Sequence, residues 1–191
     1  MDPGPATAEE GLNDGLRMGS IAGVTLVLDQ LTKVWATRLL GFGDELEVVP
    51  GFFRLVHWQN TGAAWSLFPG KNQLLAVVSL AAVIALFFAR HHFEAHTRQG
   101  QVALGFLFGG ILGNLVDRFR MDHVIDFLYF YVQRRGGGEA GFPAFNVADS
   151  AITSGVVLLL WLSWQREKER DGAKGGAGSD DSGTPTSGAV S

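Results

Sequence analysis

NQLLAVVSLAAVIALFFA, residues 72–89, is an unbroken apolar run without a charge. A helix rises 1.5 Å per residue, and about 20 mostly apolar residues cross the hydrocarbon of a bilayer. This run therefore reads as a membrane span, and the rest of the chain is placed by working outward from it. Three further stretches have the same character, at 16–40, 101–118 and 146–164. The third span is short if it stops at Leu115, so its end runs on to Asp117 and Arg118 at the interface. The first carries Asp29 and Lys33, which lower its hydropathy.

Mean hydropathy over the 191 residues is only +0.16, because both ends are polar and rich in Gly and Ser. The expected fold class is mainly α and integral to a membrane: a four-transmembrane-helix bundle. Its domain, 16–165, lies between a disordered N-terminal tail, 1–15, and a disordered C-terminal tail, 166–191. The start is acidic and Gly-rich (Asp2, Glu9, Glu10, Asp14) where a secretory signal would be basic, so the first span is expected to be retained.

Cysteine is absent, which removes thiol nucleophiles, disulfides and Cys-based zinc sites. The five histidines offer no HExxH spacing. His91, His92 and His96 sit with Arg90 and Arg98 in a polar connector, read as solvated loop; no metal or other cofactor is expected. The net charge of −4 is spread over both tails and leaves no nucleic-acid footprint.

Four spans put both termini on one side. Lys and Arg in the connectors divide evenly between the two faces, so the positive-inside rule decides little. The basic cluster from Gln165 to Arg170 favours cytoplasmic termini. LEVVPGFFRLVHW, residues 46–58, is rich in Val, Phe and Leu and broken by Pro50-Gly51, which predicts short strands or an interfacial hairpin. GGGEAG, 136–141, reads as a flexible interruption on the same face. Gly105, Gly109 and Gly113 form a small-residue stripe that suits packing inside this bundle or homodimerisation.

Ionisable groups in a span are costly and usually face an interior or a water-filled cavity. Asp29 and Lys33 are four apart and share a helix face, as a structural pair or a site-shaping one. Asn114, Asp117 and Arg118 close the third span. Asp126 lies inside the apolar run VIDFLYF. Asp149 falls in the first turn of the last span, three residues after Asn146, a candidate N-cap. Alone, Asp149 is explained by the helix dipole; with Asp126 on the same membrane face, a dyad becomes the better reading. Two carboxylates sharing a site hold one proton between them. One member can then deprotonate water while the other protonates a carbonyl oxygen. No GxSxG elbow competes. Gly41-Phe42-Gly43-Asp44 matches the GxGD pattern of another intramembrane protease class, and a proton relay through Asp29, Lys33 and Asp149 would suit a transporter. No inverted repeat supports the latter.

DQLTK (29–33), QNTGAAWSLF (59–68), GNLVDR (113–118), HVIDF (123–127) and FPAFNVADSAI (142–152) together resemble the lipoprotein signal peptidases, type II signal peptidases of bacteria. The motifs run in family order from about residue 21 to 163. The resemblance implies an aspartic endopeptidase, multi-pass in the bacterial cell inner membrane, with a small extracytoplasmic β-sheet cradle. It implies substrates that are diacylglyceryl-modified prolipoproteins, cut N-terminal to the lipidated cysteine to remove the signal peptide. The catalytic pair falls on Asp126 and Asp149. Substrate-binding or site-supporting positions fall on Asp29, Lys33, Asn60, Asn114, Arg118 and Asn146, while Asp117 takes a structural role. Family topology sets the termini inside and the dyad on the periplasmic side. Membrane lipids are the remaining expected partners, and the enzyme is expected to be monomeric. Phe52, Phe53, Trp58, Trp65 and Leu67 are candidate guides for the substrate's acyl chains.

Overall fold

The computed structural model describes residues 8–62, 70–93 and 95–177. Trp65 and Leu67, named above, lie outside the described residues. Four long helices appear in chain order: α1 (Ala8–Leu39), α2 (Asn72–Ala89), α3 (Arg98–Met121) and α4 (Val147–Ala177). α2 matches the run at 72–89 residue for residue. α1 and α4 extend beyond the expected spans into segments read as tails. At the start, the buried amide of Gln101 in α3 donates to Asp14 (2.7 Å) and accepts from Arg17 (3.0 Å), so the early turns of α1 have a tertiary partner. At the end, residues 166–171 are Arg, Glu, Lys and Asp, mostly strong helix formers; Lys168 also lies over the Trp164 ring, 4.3 Å from its centroid.

Among the described residues, three helices are long and apolar enough to cross a membrane: residues 72–93, 98–121 and 147–171, with mean hydropathies of 2.2, 1.4 and 1.5. α1 falls short because of Asp29 and Lys33, yet both are buried, at 0% and 1% exposure. The outward face of α1 carries Val24, Val27, Leu28, Leu31 and Trp35.

α3 is the central helix, packed against α1, α2 and α4. Its glycines explain how. A Cβ on Gly105 would lie 2.7 Å from Ile21, one on Gly109 2.6 Å from the Ala22 carbonyl oxygen, and one on Gly113 2.6 Å from Asp29 Oδ2. The stripe is thus filled by α1 of the same chain. Gly110 faces the other way, where a Cβ would lie 2.5 Å from the Ala148 carbonyl oxygen of α4. Without side chains at these positions the three backbones approach closely enough to bury polar groups among themselves.

The connector 46–58 forms two strands, β1 (Glu45–Val49) and β2 (Phe53–Asn60), joined by a turn at Pro50-Gly51 in which Gly51 has φ 76°. Proline sets the first central position of such a turn and glycine supplies the positive φ at the second. β3 (Val124–Gln133) and β4 (Glu139–Gly141) complete an antiparallel sheet in the order β1-β2-β3-β4. The Gly-rich stretch 133–141 is therefore a hairpin, turned by Gly137 and Gly138 at φ 90° and 79°. One side of the sheet packs Leu55 and Phe127 on Ala36 and Leu40 at the end of α1. A second cluster of Val56, Tyr129 and Tyr131 joins the two hairpins. Arg54 ties them further, with ion pairs to Glu45 and Glu139 at 3.1 Å each and its guanidinium 3.9 Å from the Tyr131 ring centroid. Tyr131 also donates to Glu47.

Candidate active site

The sheet meets the bundle where α3 ends and α4 begins. Register puts Asp126 of β3 opposite Trp58 of β2, beside a bulge in β2, and Val124 opposite Asn60. The last residues of β2 and the first of β3 are thereby carried over the start of α4. A cavity of about 730 Å³ lies there, lined by Asn60, Asn114, Arg118, Asp126 and Asp149 among others.

Asn146 organises the pair. It caps α4: its Oδ1 accepts from Asp149 N (2.9 Å), and Asp149 Oδ2 accepts from Asn146 N (3.2 Å). This reciprocal arrangement is a capping box with aspartate in the usual Glu position, and it holds the Asp149 carboxylate at the first turn. The same Asn146 donates from Nδ2 to Asp126 Oδ1 (2.9 Å) and to the Ile125 carbonyl (3.2 Å). One fully buried side chain thus fixes both carboxylates relative to each other.

Each aspartate has a second amide donor. Asn60 Nδ2 donates to Asp126 Oδ2 (3.0 Å), and Asn114 Nδ2 donates to Asp149 Oδ1 (2.7 Å). Lys33 sets the sense of the Asn114 amide, since its ammonium has only protons to offer and donates to Asn114 Oδ1 at 3.0 Å. Burial pushes the Asp126 carboxyl up from 3.8 to about 7, and the negative charge of Asp149 adds to it. The bonds from Asn60 and Asn146 and the charge of Lys33 oppose that rise.

Asp29 and Lys33 stand behind the cavity rather than in its wall. Lys33 Nζ is 2.8 Å from Asp29 Oδ2 and 2.7 Å from Asp117 Oδ2, all three residues being buried. Asp29 Oδ1 accepts from Ala148 N (2.9 Å), so α1 supplies a ligand to the first turn of α4. Asp117, given a structural role above, is the other anion of this ionic cluster. Sequence reading missed Gln30, whose amide donates to Asp29 (3.2 Å), Asp117 (2.9 Å) and the Gly113 carbonyl (3.2 Å). Its place one residue after Asp29, in the quoted motif, was the available signal.

Arg118 lines the cavity and donates to the carbonyls of Asn114 (3.3 Å) and Gly62 (3.4 Å). Its Nε is buried without a hydrogen-bond partner among the described residues. Trp58 lines the cavity, Phe53 is packed into the sheet–α1 cluster, and Phe52 is half exposed outside it. The lining also includes Phe142 to Phe145 and Ile152, which lie in the FPAFNVADSAI motif without a role given to them above, and Thr153 and Ser154, which follow it. Asp44 of the GxGD match is exposed in a turn, where its Oδ2 accepts from Gly41 N at 3.0 Å.

A family model for signal peptidase (SPase) II matches residues 21–165. The chain is 32% identical over 159 residues to the lipoprotein signal peptidase of Anoxybacillus flavithermus (strain DSM 21510 / WK1), covering 83% of this chain and 92% of that protein. It is 39% identical over 153 residues to that of Geobacter metallireducens (strain ATCC 53774 / DSM 7210 / GS-15), covering 78% and 91%. Two solved structures described as bacterial membrane enzymes superpose with TM-scores of 0.69 and 0.64, at 32% and 34% identity. They cover 81% and 78% of this chain, and 91% and 92% of theirs. With a match that spans the three apolar helices, the sheet and both aspartates, the chain belongs to the signal peptidase II family of membrane proteases.

Proposed function

We propose that the protein is an aspartic endopeptidase that removes signal peptides from diacylglyceryl-modified prolipoproteins, cutting N-terminal to the lipidated cysteine. The observation that carries this reading is the bridging of Asp126 and Asp149 by Asn146 in one cavity. The relatives are lipoprotein signal peptidases, which supports the lipoprotein substrate class.

The pair shares one proton. The ionised carboxylate removes a proton from water as it attacks the scissile carbonyl carbon, and the protonated one donates to the carbonyl oxygen. The tetrahedral intermediate then collapses, with the proton returned to the leaving nitrogen. Asn60, Asn114 and Asn146 hold the carboxylates in register, and the guanidinium of Arg118, in the cavity lining, can donate to a substrate carbonyl. Asp29 and Lys33 support the site from behind by fixing α4 and Asn114.

The supporting topology has four spans, α1 being the fourth because its charges face inward. The termini are cytoplasmic, and the sheet and dyad lie on the outer side of the bacterial inner membrane. The working unit is a monomer in membrane lipid, without cofactor. Cleavage of a diacylated precursor by the Asp126→Asn and Asp149→Asn variants tests the mechanism. Both are expected to lose processing while remaining inserted and folded; wild-type turnover by either one overturns the dyad. Cleavage of the same precursor without lipid tests specificity: equal rates would leave a protease but remove the lipoprotein assignment.

A further inference from the structure

Asn72 opens α2 and is buried, yet it does not cap that helix: the N-cap position is Lys71, with no side-chain hydrogen bond to the first turn. Its amide is used across the bundle instead. Asn72 Nδ2 donates to the Arg118 carbonyl (3.1 Å) and, at a longer 3.5 Å, to Asp122 Oδ1. Arg118 lies in the last turn of α3, where helix carbonyls find no partner within the helix. The Asn72 bond satisfies one of these carbonyls and ties the start of α2 to a residue that lines the cavity.

From Arg118 the bonds lead on to the dyad. Arg118 Nη2 donates to the Gly62 carbonyl (3.4 Å), Gly62 N donates to Asn60 Oδ1 (2.9 Å), and Asn60 Nδ2 donates to Asp126 Oδ2 (3.0 Å). The Gly62 bond decides which end of the Asn60 amide meets the carboxylate, because an amide oxygen already accepting leaves the NH2 group for Asp126. Gly62 thereby does for Asn60 what Lys33 does for Asn114. The supports differ in kind: behind Asp149 stands a buried ammonium, and behind Asp126 a main-chain N–H that Arg118 holds in place.

We infer that Asn72 is a positioning residue for the dyad: by holding the Arg118 carbonyl it keeps the guanidinium on Gly62, and so keeps the Asn60 amide turned to Asp126. The inference rests on the proposed peptidase mechanism. It has a titration signature that simple helix packing lacks. The Asn60 bond lowers the Asp126 carboxyl against the effect of burial, as does the charge of Lys33 from α1, whereas Asp149 of α4 raises it. The Arg118 guanidinium of α3 adds a positive charge that interacts with Asp126. Releasing Arg118 weakens the Asn60 bond and the pull of that charge together. Both changes raise the upper apparent pKa of the pair, so the proton it donates is held to higher pH.

The test is the pH dependence of kcat/KM on a diacylated precursor, with the full-length enzyme in nanodiscs. Asn72→Leu removes the donor at similar volume. Its alkaline limb is expected to move up by about half a pH unit, the size of a partly lost hydrogen bond to a charged group. Asn72→Ser, whose hydroxyl is too short for the Arg118 carbonyl, is expected to move the limb in the same direction, and it carries the test if the leucine variant does not insert. Gln101→Leu is the control at the opposite end of α3. It removes a buried amide that bonds Asp14 and the Ala95 carbonyl, so it should lower Tm and leave the limb where it is. A limb that stays put or moves down in the Asn72 variants overturns the inference, however far Tm falls, because Asn72 would then only join α2 to α3. An equal shift in Gln101→Leu also overturns it. A wild type that leaves the precursor uncut would instead overturn the peptidase reading.

Discussion

Asn146 is one side chain with four polar contacts at the site, and its replacement separates structure from chemistry. Asn146→Ala removes the N-cap of α4, which costs about 0.5–2 kcal/mol, and also the bridge to Asp126. Thermal unfolding in detergent should show the modest first loss, while kcat falls about 10²-fold through misplacement of the carboxylates. Asn146→Ser, which keeps the cap but not the bridge, should recover most of the stability and little of the rate. Asp126 gives a pH prediction. A carboxyl whose native pKa stands near 7 rather than 3.8 binds its proton more tightly in the folded chain. Its contribution to stability is complete below about pH 4 and is lost as pH rises through about 7. Wild-type Tm should therefore fall between about pH 4 and 7, and Asp126→Asn should flatten that slope. Activity should decline on the alkaline side near pH 7, as the dyad loses the proton it donates. An activity plateau extending to pH 9 would count against a proton shared by the pair.

At the scale of elements, the decisive contacts are backbone-to-backbone. Gly109 of α3 sits against the Ala22 carbonyl, so Gly109→Val must push α1 away; a loss of about 1–3 kcal/mol is expected. Gly19 of α1 has nothing within 4 Å of a built Cβ. Gly19→Ala should be neutral or stabilise by up to about 1 kcal/mol through helix propensity. Measured side by side, the two variants distinguish packing from a general effect of removing glycine. The ionic cluster belongs to this scale as well, because it joins α1, α3 and α4. Lys33→Met leaves the buried carboxylates of Asp29 and Asp117 without their cation, and a cost of about 3–5 kcal/mol is expected. Lys33→Met combined with Asp117→Asn should recover part of it, read as the yield of folded enzyme and its Tm.

For the whole molecule, orientation is the open physical question, and the absence of cysteine makes it directly measurable. Single cysteines placed at Gly137, in the β3–β4 hairpin, and at Ser191 should respond oppositely to a membrane-impermeant thiol reagent on spheroplasts. The hairpin should label at once and the terminus only after lysis. The reverse pattern would invert the topology. Sequence alone determined the class: α2 is legible to the residue because an apolar helix in lipid needs nothing but length and hydrophobicity. It also singled out Asp126 and Asp149, which the structure brings to one cavity, and the Pro50-Gly51 hairpin, because these signals are local. The true reach of α1 and α4 escaped it, since Asp14 and Arg17 are held by Gln101, a partner more than 80 residues away. So did the part played by Gln30, the hairpin at 133–141 and the place of Phe142 to Phe145 in the cavity lining. Only the tertiary structure decided that Asp29 and Lys33 stand behind the dyad instead of beside it, and that the glycine stripe serves α1 of the same chain. The reason is that buried polar groups and close backbone approaches draw their energy from partners distant in sequence, and no local pattern records which partner fills the space.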